Sequence, residues 1–434
     1  MSNSISLLSK PLTIKTGDTI AIKAENNRWL SRIHTNGLDP IWASKEYIDA
    51  SCLFTVHIHD DLKVSLKASN NRWLSVIRRN SANPIEAAKE EIDVWCKFDI
   101  EYITAQDKSY VAFRGANNKW VSRIRSNRTD LVRADKDQID ASCLFTVHDM
   151  LTPTSWMKSL PDNYLLSELS VPGSHNAGAL YDHSSRRDTA KCQSLTIAEQ
   201  LNSGIRFLDI RCRHVDDAFN IHHGRVYQHL NFDDVLNACF SFLTSHPGEC
   251  IIMSVKEEYT HSNITRNFDQ TFDAYTAKNP SHWYLGTSIP TLGSVRGKIV
   301  LLRRFENTTN TPKGIAANPG WMSNTTFTID NGAESRLRVQ DNFDVRNNDA
   351  KWVNVTNLLT EAKSGNSTTL YINFTSGVRY RSLMGIRIPR IRTVSNFINP
   401  RIASYFTSNT KGRFGIIPMD FSDVAAVLIA QTNF

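Results

Sequence analysis

The sequence predicts a multidomain chain, with an N-terminal all-β unit built from three internal repeats followed by a C-terminal α/β unit. Three observations carry this prediction. One pattern occurs three times in the first 150 residues, and the spacing of apolar residues changes character near residue 160. The chain is also 434 residues long, two to three times an ordinary domain.

The repeat reads NNRWLSRI from Asn26, NNRWLSVI from Asn70 and NNKWVSRI from Asn117, and each copy runs on to a matching end at Cys52, Cys96 or Cys143. Within a unit the apolar residues alternate, as in Thr19-Ile20-Ala21-Ile22-Lys23-Ala24, and Asn-Asn or Asn-Gly signals separate the runs. That is the pattern of short antiparallel strands joined by turns. With its N-N-[RK]-W-[LV]-S signature in triplicate, the stretch 10–150 resembles a fascin-like β-trefoil, a fold that needs three equivalent units. Trp29, Trp73, Trp120 and the three cysteines are expected in its core. Arg32, Arg123 and Arg125 are candidates for a glycan, cytoskeletal or anionic ligand, since trefoils serve many partners. A linker is expected at 150–160, where Pro153, Thr154 and Pro161-Asp162 form a turn-rich stretch.

From Tyr164 strand-like runs alternate with helical ones. Phe232, Val235, Leu236, Cys239, Phe240 and Leu243 follow helical spacing, whereas IRFLDIRCR, CIIMSVKEE, KIVLLRRF, TLYINFTS and FGIIPMDF are buried-strand patterns ending in polar residues. In a parallel α/β barrel the strand C-termini face the site. Those ends carry His175, Asp209 with Arg211, His222 with His223, Lys256 with Glu258, Arg303 with Arg304, Asp341 and Asp420. Two histidines with arginine, lysine and carboxylates suit phosphodiester chemistry: one imidazole accepts a proton from an attacking hydroxyl, another donates to the leaving oxygen, and a guanidinium holds the phosphoryl charge. No serine elbow, Walker loop or zinc-ligand spacing competes with that set.

Through VPGSHNAG, GIRFLDIRCR, IHHG, HPGECIIMSVKEEY, GKIVLLRRF, VQDNF and GIIPMD, the stretch 157–434 resembles the X domain of phosphatidylinositol-specific phospholipase C of the bacterial type. The resemblance implies a distorted TIM-like barrel that cleaves phosphatidylinositol, with glycosylphosphatidylinositol anchors as a further substrate, to diacylglycerol and inositol 1,2-cyclic phosphate. It implies His175 as general base, Asp420 as the carboxylate that orients it, His223 as general acid and Arg211 on the phosphate. Lys256, Arg304 and Asp341 fall on inositol-binding positions and Phe343 where the family has a tyrosine against the ring. Asn176 replaces the aspartate common in bacterial members and is grouped with the substrate-binding residues. Two readings of Asp209 stay open, catalysis or a brace for Arg211. His222 is read as structural, Glu258 as a partner for a nearby cation, and His214, His229 and His246 as surface or packing residues. Arg211 and Lys256 stand where calcium-dependent relatives need acidic ligands, so no metal and no cofactor is expected.

With 41% hydrophobic and 21% charged residues the composition is that of an ordinary globular protein, excluding collagen-like, low-complexity or largely disordered chains. Seven cysteines cannot all pair within one molecule and are expected reduced and buried. The N-terminal residues lack the pattern of a conventional signal peptide and no run approaches the roughly 20 residues of a membrane span. The expectation is a cytoplasmic or non-classically secreted protein with peripheral membrane contact. Nine basic residues and no acidic one lie between Ala362 and Met419. Within that stretch Tyr380, Leu383, Met384, Ile386 and Ile388 alternate with Arg379, Arg381, Arg387, Arg390 and Arg392, as suits a rim loop docking on a phosphatidylinositol-containing surface. No nucleic-acid-binding module surrounds it. The alternative from another class is a lectin-like or cytoskeletal binding protein whose barrel is catalytically weak and only binds inositol lipid.

Overall fold

A computed structural model describes residues 14–434 except 80, 106–107, 127–128, 184–187, 310, 319, 333, 384–385 and 409–410. The chain divides into two compact units, Met1–Thr152 and Pro153–Phe434.

The first unit is β-rich. Its strands pair antiparallel throughout, and Thr19–Lys23 joins Leu53–Ile58 to the last strand, Thr146–Met150. The Asn-Asn pairs explain their own presence. The second asparagine, Asn27, Asn71 or Asn118, turns the chain at φ 63°, 63° or 61°, a region that asparagine tolerates better than most residues. The first, Asn26, Asn70 or Asn117, donates its side-chain N–H to the carbonyl of Ala43, Ala87 or Ala134 at 3.0, 3.0 and 2.8 Å, tying the turn to a strand 17 residues on. Further on, Asp49, Asp93 and Asp140 each cap a short 3₁₀ turn, accepting from the backbone N–H two residues later, and each turn delivers a buried cysteine to the interior. Trp29 is buried, while Trp73 and Trp120 are half-buried. A cation lies over each ring, Lys23, Lys67 and Arg114 at 5.0, 5.3 and 5.4 Å. Two of the arginines expected to face a ligand are already paired: Arg32 with Asp39 at 2.6 Å, and Arg123 with Glu25 and Asp130 at 2.5 Å each. Arg125 is exposed.

The second unit starts earlier than the turn-rich sequence suggests. Pro153–Ser159 is a pair of 3₁₀ turns that buries Trp156 and Met157 rather than a free linker. Two large apolar side chains outweigh the turn residues around them. The reason the segment stays is a fully buried ion pair: Arg206 Nε donates to Glu249 at 2.9 Å and its remaining N–H groups reach the carbonyls of Leu201, Ile205 and Pro153. Glu249 in turn accepts from the backbone of Met157 and Lys158.

The core of the unit is a mainly parallel sheet. Its strands run in the order Ile299–Arg304, Ile251–Glu257, Phe207–Val215, Ser170–Ser174, Gly415–Met419, Thr369–Asn373, Arg336–Gln340, with antiparallel Thr326–Asp330 at the far edge. Buried apolar runs give strands covered on both faces, and helices such as Phe232–Ser245 and Asn348–Ser364 pack their buried rows inward. Gly173 sits where a Cβ would come within 2.9 Å of the Phe207 ring on the neighbouring strand. Six strand steps separate Ile299–Arg304 from Arg336–Gln340, about 29 Å if the sheet were flat. Yet one indole touches residues at both: Arg304 lies 3.5 Å over the Trp321 ring, and Trp321 Nε1 donates to Asp341 at 3.0 Å. The sheet therefore curls round until its far strand ends meet across Trp321.

Arg379–Leu383 and Ile386–Arg390 form an antiparallel hairpin. Alternating apolar and arginine residues have the two-residue period of a strand. Met384 and the side chains of Leu383, Ile386 and Arg387 lie outside the described residues.

Removing one partner of the buried Arg206–Glu249 pair strands the other charge. Arg206→Met is expected to destabilise the second unit by about 3–5 kcal/mol, measured by denaturant unfolding followed through tryptophan fluorescence.

Candidate active site

Nearly every candidate side chain comes from the same end of the curled sheet. His175 follows Ser170–Ser174 directly, Asp420 follows Gly415–Met419, and Asp341 follows Arg336–Gln340. Arg211, Lys256 and Arg304 stand opposite one another in register on three adjacent parallel strands. His223 arrives differently, at the end of Ala218–His223, which folds back antiparallel onto the strand that carries Arg211.

Two sharp turns aim the first pair. Asn176 and Phe421, the residues after His175 and Asp420, adopt φ 45° and 50°. Left-handed geometry at non-glycine residues is costly and concentrates at functional sites. Here it brings the two strand ends together: His175 N–H donates to the Met419 carbonyl at 2.9 Å, and His175 Nδ1–H donates to Asp420 Oδ1 at 2.7 Å. Gln193 fastens the same corner by donating to the carbonyls of His175 and Met419. With Nδ1 as donor, Nε2 is left as the basic nitrogen, and an Arg211 N–H donates to it at 2.9 Å. The Phe374 ring stands edge-on to the imidazole.

The cations are held by two carboxylates. Asp209 is fully buried; one oxygen accepts from Arg211 at 3.2 Å and from the Asn176 backbone at 3.1 Å, the other from Arg304 at 3.4 Å. Burial favours its protonated form, but the two guanidiniums overcome that and keep it ionised well below the usual carboxylate range. Glu258 accepts from Lys256 Nζ at 3.0 Å and from the Gly224 backbone at 2.9 Å. Its pKa falls to about 2, because Arg211 and Lys256 outweigh burial. Arg304 and Lys256 are themselves pushed down, chiefly by burial.

His223 Nδ1 donates to the Ala190 carbonyl at 2.7 Å, with the Cys192 sulfur 3.7 Å away. Burial and then Arg211 hold its imidazole below the ordinary histidine value, against the stabilising carbonyl.

These groups line a cavity of about 860 Å³, a size suited to a small-molecule ligand or lipid headgroup. His175, Arg211, His223, Lys256, Arg304, Asp341, Phe343 and Asp420 all border it. Asp209 and Asn176 do not. Asp209 lies behind Arg211 and Arg304 as their shared counter-ion. Asn176, expected to bind substrate, is completely buried and meets the site only through its backbone N–H, and its side-chain amide finds no hydrogen-bond partner among the described residues. Arg303, the neighbour of Arg304, points away and donates to the carbonyls of Lys313 and Phe305, as strand alternation requires. His222 is buried, and His214 accepts or donates to Thr271 inside the core.

A family model for the phosphatidylinositol-specific phospholipase C X domain matches residues 164–305. The 1-phosphatidylinositol phosphodiesterase of Staphylococcus aureus strain Newman is 34% identical over 283 residues, spanning 62% of this chain and 89% of that protein. A solved structure of a mutant of the S. aureus phospholipase superposes with a TM-score of 0.59 at 32% identity, covering 65% of this chain and 98% of the other. Another, concerned with modulation of that enzyme's membrane binding, gives 0.57 at 32% identity with the same coverage. The chain belongs to the phosphatidylinositol-specific phospholipase C family.

Against that family pattern the chain shows three features that its motifs do not announce. Trp321 bridges Arg304 and Asp341 from a loop with no strand pattern; its only sequence signal is an aromatic residue in a Pro-Gly turn. Cys192 lies on the cavity wall, its thiol pKa raised by burial and by Asp420. Among the described residues His175, Cys192 and Asp420 are the one group whose ligand atoms approach closely enough, within 4.8 Å, to share an ion. That is a soft donor set with one carboxylate, unlike the oxygen cage that calcium takes. Third, the nearer partner of His223 Nδ1 is the backbone carbonyl of Ala190, with the Cys192 sulfur farther off.

Proposed function

We propose that the second unit is a phosphatidylinositol phosphodiesterase of the lyase type. The observation that carries this reading is the state of His175: Asp420 holds Nδ1–H, so the basic Nε2 points at Arg211, the group suited to hold a phosphate, in a cavity that also holds His223. A phosphate on Arg211 draws that guanidinium off Nε2 and leaves the base free for the neighbouring hydroxyl. The inositol 2-hydroxyl then attacks phosphorus as its proton passes to His175 Nε2. The bond from phosphorus to the glycerol oxygen breaks, and His223 Nε2–H protonates the departing diacylglycerol. Attack from within the substrate makes positioning inexpensive and gives inositol 1,2-cyclic phosphate as first product. Lys256, Arg304 and Asp341 bind the ring hydroxyls, Phe343 lies against the ring face, and Asp209 acts through Arg211 and Arg304 as a positioning residue.

Arg211 supplies positive charge at the phosphate and Lys256 adds a second cation in the site, which supports a reaction without a divalent cation. A lipid surface is supported by the cavity mouth, where Met322, Phe343 and Tyr380 are 55%, 38% and 37% exposed. Exposed Arg379 and Arg381 lie on the hairpin beside them. For the first unit we propose a β-trefoil of fascin-like type; the recurring asparagine, aspartate and cation-over-tryptophan contacts support it.

Four outcomes test these readings. In excess chelator, wild-type protein is expected to release inositol 1,2-cyclic phosphate from phosphatidylinositol vesicles, and His175→Ala and His223→Ala each to lose at least about 100-fold in rate; no product with or without calcium sinks the reading. Because the acid must be protonated and His223 titrates below the ordinary histidine value, kcat/KM is expected to fall as pH rises through a pKa lower than about 6.5. Trp321→Ala is expected to raise KM, since it uncovers Arg304 and frees Asp341. Arg379→Glu with Arg381→Glu is expected to weaken binding to anionic vesicles by at least about 10-fold, at about 1 kcal/mol per lost arginine and more for reversal. Turnover of a water-soluble substrate should stay unchanged in that double variant.

A further inference from the structure

Asp182 belongs to no motif and does not border the cavity, yet four backbone N–H groups converge on its carboxylate. Thr189, Ala190 and Lys191 donate to Oδ1 at 2.9 Å each, and Asp188 donates to Oδ2 at 2.8 Å. A carboxylate that accepts several backbone N–H groups fixes the path of the chain around it, and the peptides it orients have their carbonyls pointing the other way. One of those carbonyls is that of Ala190, and it accepts from His223 Nδ1 at 2.7 Å.

The segment is clamped elsewhere too. Cys192 and Gln193 N–H groups donate to the Ala179 carbonyl at 2.9 and 3.0 Å. Asp188 accepts the Arg392 N–H at 2.8 Å, and its carbonyl accepts that of Ile391 at 3.3 Å. Asp182 ionises below the usual carboxylate value, since the backbone donors outweigh its partial burial.

We propose that Asp182 is a positioning residue for the general acid: it holds the 188–191 segment so that the Ala190 carbonyl fixes the tautomer, orientation and proton affinity of His223. This rests on the reading of His223 as the acid. A neutral carbonyl supports the imidazolium less than a carboxylate does, so its placement matters more. The charged and titratable groups facing His223 are Arg211 and His175 from the barrel strands, Glu258 from the end of the Lys256 strand, and the Cys192 thiol from the segment itself. Arg211 and burial disfavour the protonated ring; the Ala190 carbonyl favours it.

The test compares two substrates with the full-length protein: a short-chain phosphatidylinositol, whose alkoxide must be protonated to leave, and the 4-nitrophenyl ester of inositol 1-phosphate, whose phenolate leaves without a proton. Asp182→Asn is expected to lower kcat on the lipid at least about 10-fold, with KM little changed, and to alter the aryl ester by less than about 3-fold. The alkaline limb of kcat/KM on the lipid should move to lower pH, because losing the carbonyl lowers the pKa of the acid. In a His223→Ala background the same substitution should add nothing. Asp182→Ser serves as the second variant where Asp182→Asn melts early. Equal losses on both substrates with an unmoved alkaline limb make Asp182 merely structural, and no loss on either makes the segment irrelevant; each overturns the proposal. If His223→Ala spares the lipid, or lowers turnover of the lipid and of the aryl ester equally, the reading of His223 as acid fails and the proposal falls with it.

Discussion

Three cations in register on adjacent parallel strands are the constraint around which the second unit is organised. Arg211, Lys256 and Arg304 occupy one row, with strands about 4.8 Å apart. Unpaired, such a row would repel itself and pay heavily for desolvation. Asp209 behind Arg211 and Arg304, and Glu258 beside Lys256 and Arg211, make it tenable. The row keeps enough positive charge toward the cavity to receive an anion. It also sets the neighbouring imidazoles: Arg211 donates to one and lowers the proton affinity of the other.

Curvature turns this row into a site. A flat sheet would leave Asp341 far from Arg304. The curled one brings Arg304 to the face and Asp341 to the N–H edge of Trp321 and lets His175 and Asp420, on adjacent strand ends, meet through left-handed turns. Those turns store strain that the surrounding hydrogen bonds, Gln193 above all, hold in place. The cavity is therefore framed by contacts within the protein itself, and Arg211 covers His175 Nε2. Along one edge the hairpin at 379–390 meets the segment that supports His223, through Ile391, Arg392 and Asp188. The end of the hairpin and the segment that carries the Ala190 carbonyl are thus joined by a few hydrogen bonds.

Much of this was legible in the sequence because strands announce themselves by apolar period, and the residue after a buried run is a strand end. His175, Arg211, Lys256, Arg304, Asp341 and Asp420 were found that way and all border the cavity. The stretch at 150–160 misled because turn residues dominate it, while burial of Trp156 and Met157 depends on a distant ion pair. Asn176 misled because adjacence to His175 does not fix the direction of a side chain across a left-handed turn. Trp321, Cys192 and Asp182 carried no periodic signal, since each sits on a segment whose path is set by contacts far away in the chain.

By itself, then, the sequence determined the local quantities: which runs are strands, where Asn-Asn pairs place turns between them, and which charged types stand at strand ends. Those follow from periodicity and backbone sterics, which act over a few residues. Tertiary structure alone decided which end groups face one another, which carboxylate neutralises which cation, and that a backbone carbonyl at Ala190 accepts from His223. Such relations depend on strand order and sheet curvature. Those arise only when distant segments pack, and no window of sequence contains both partners.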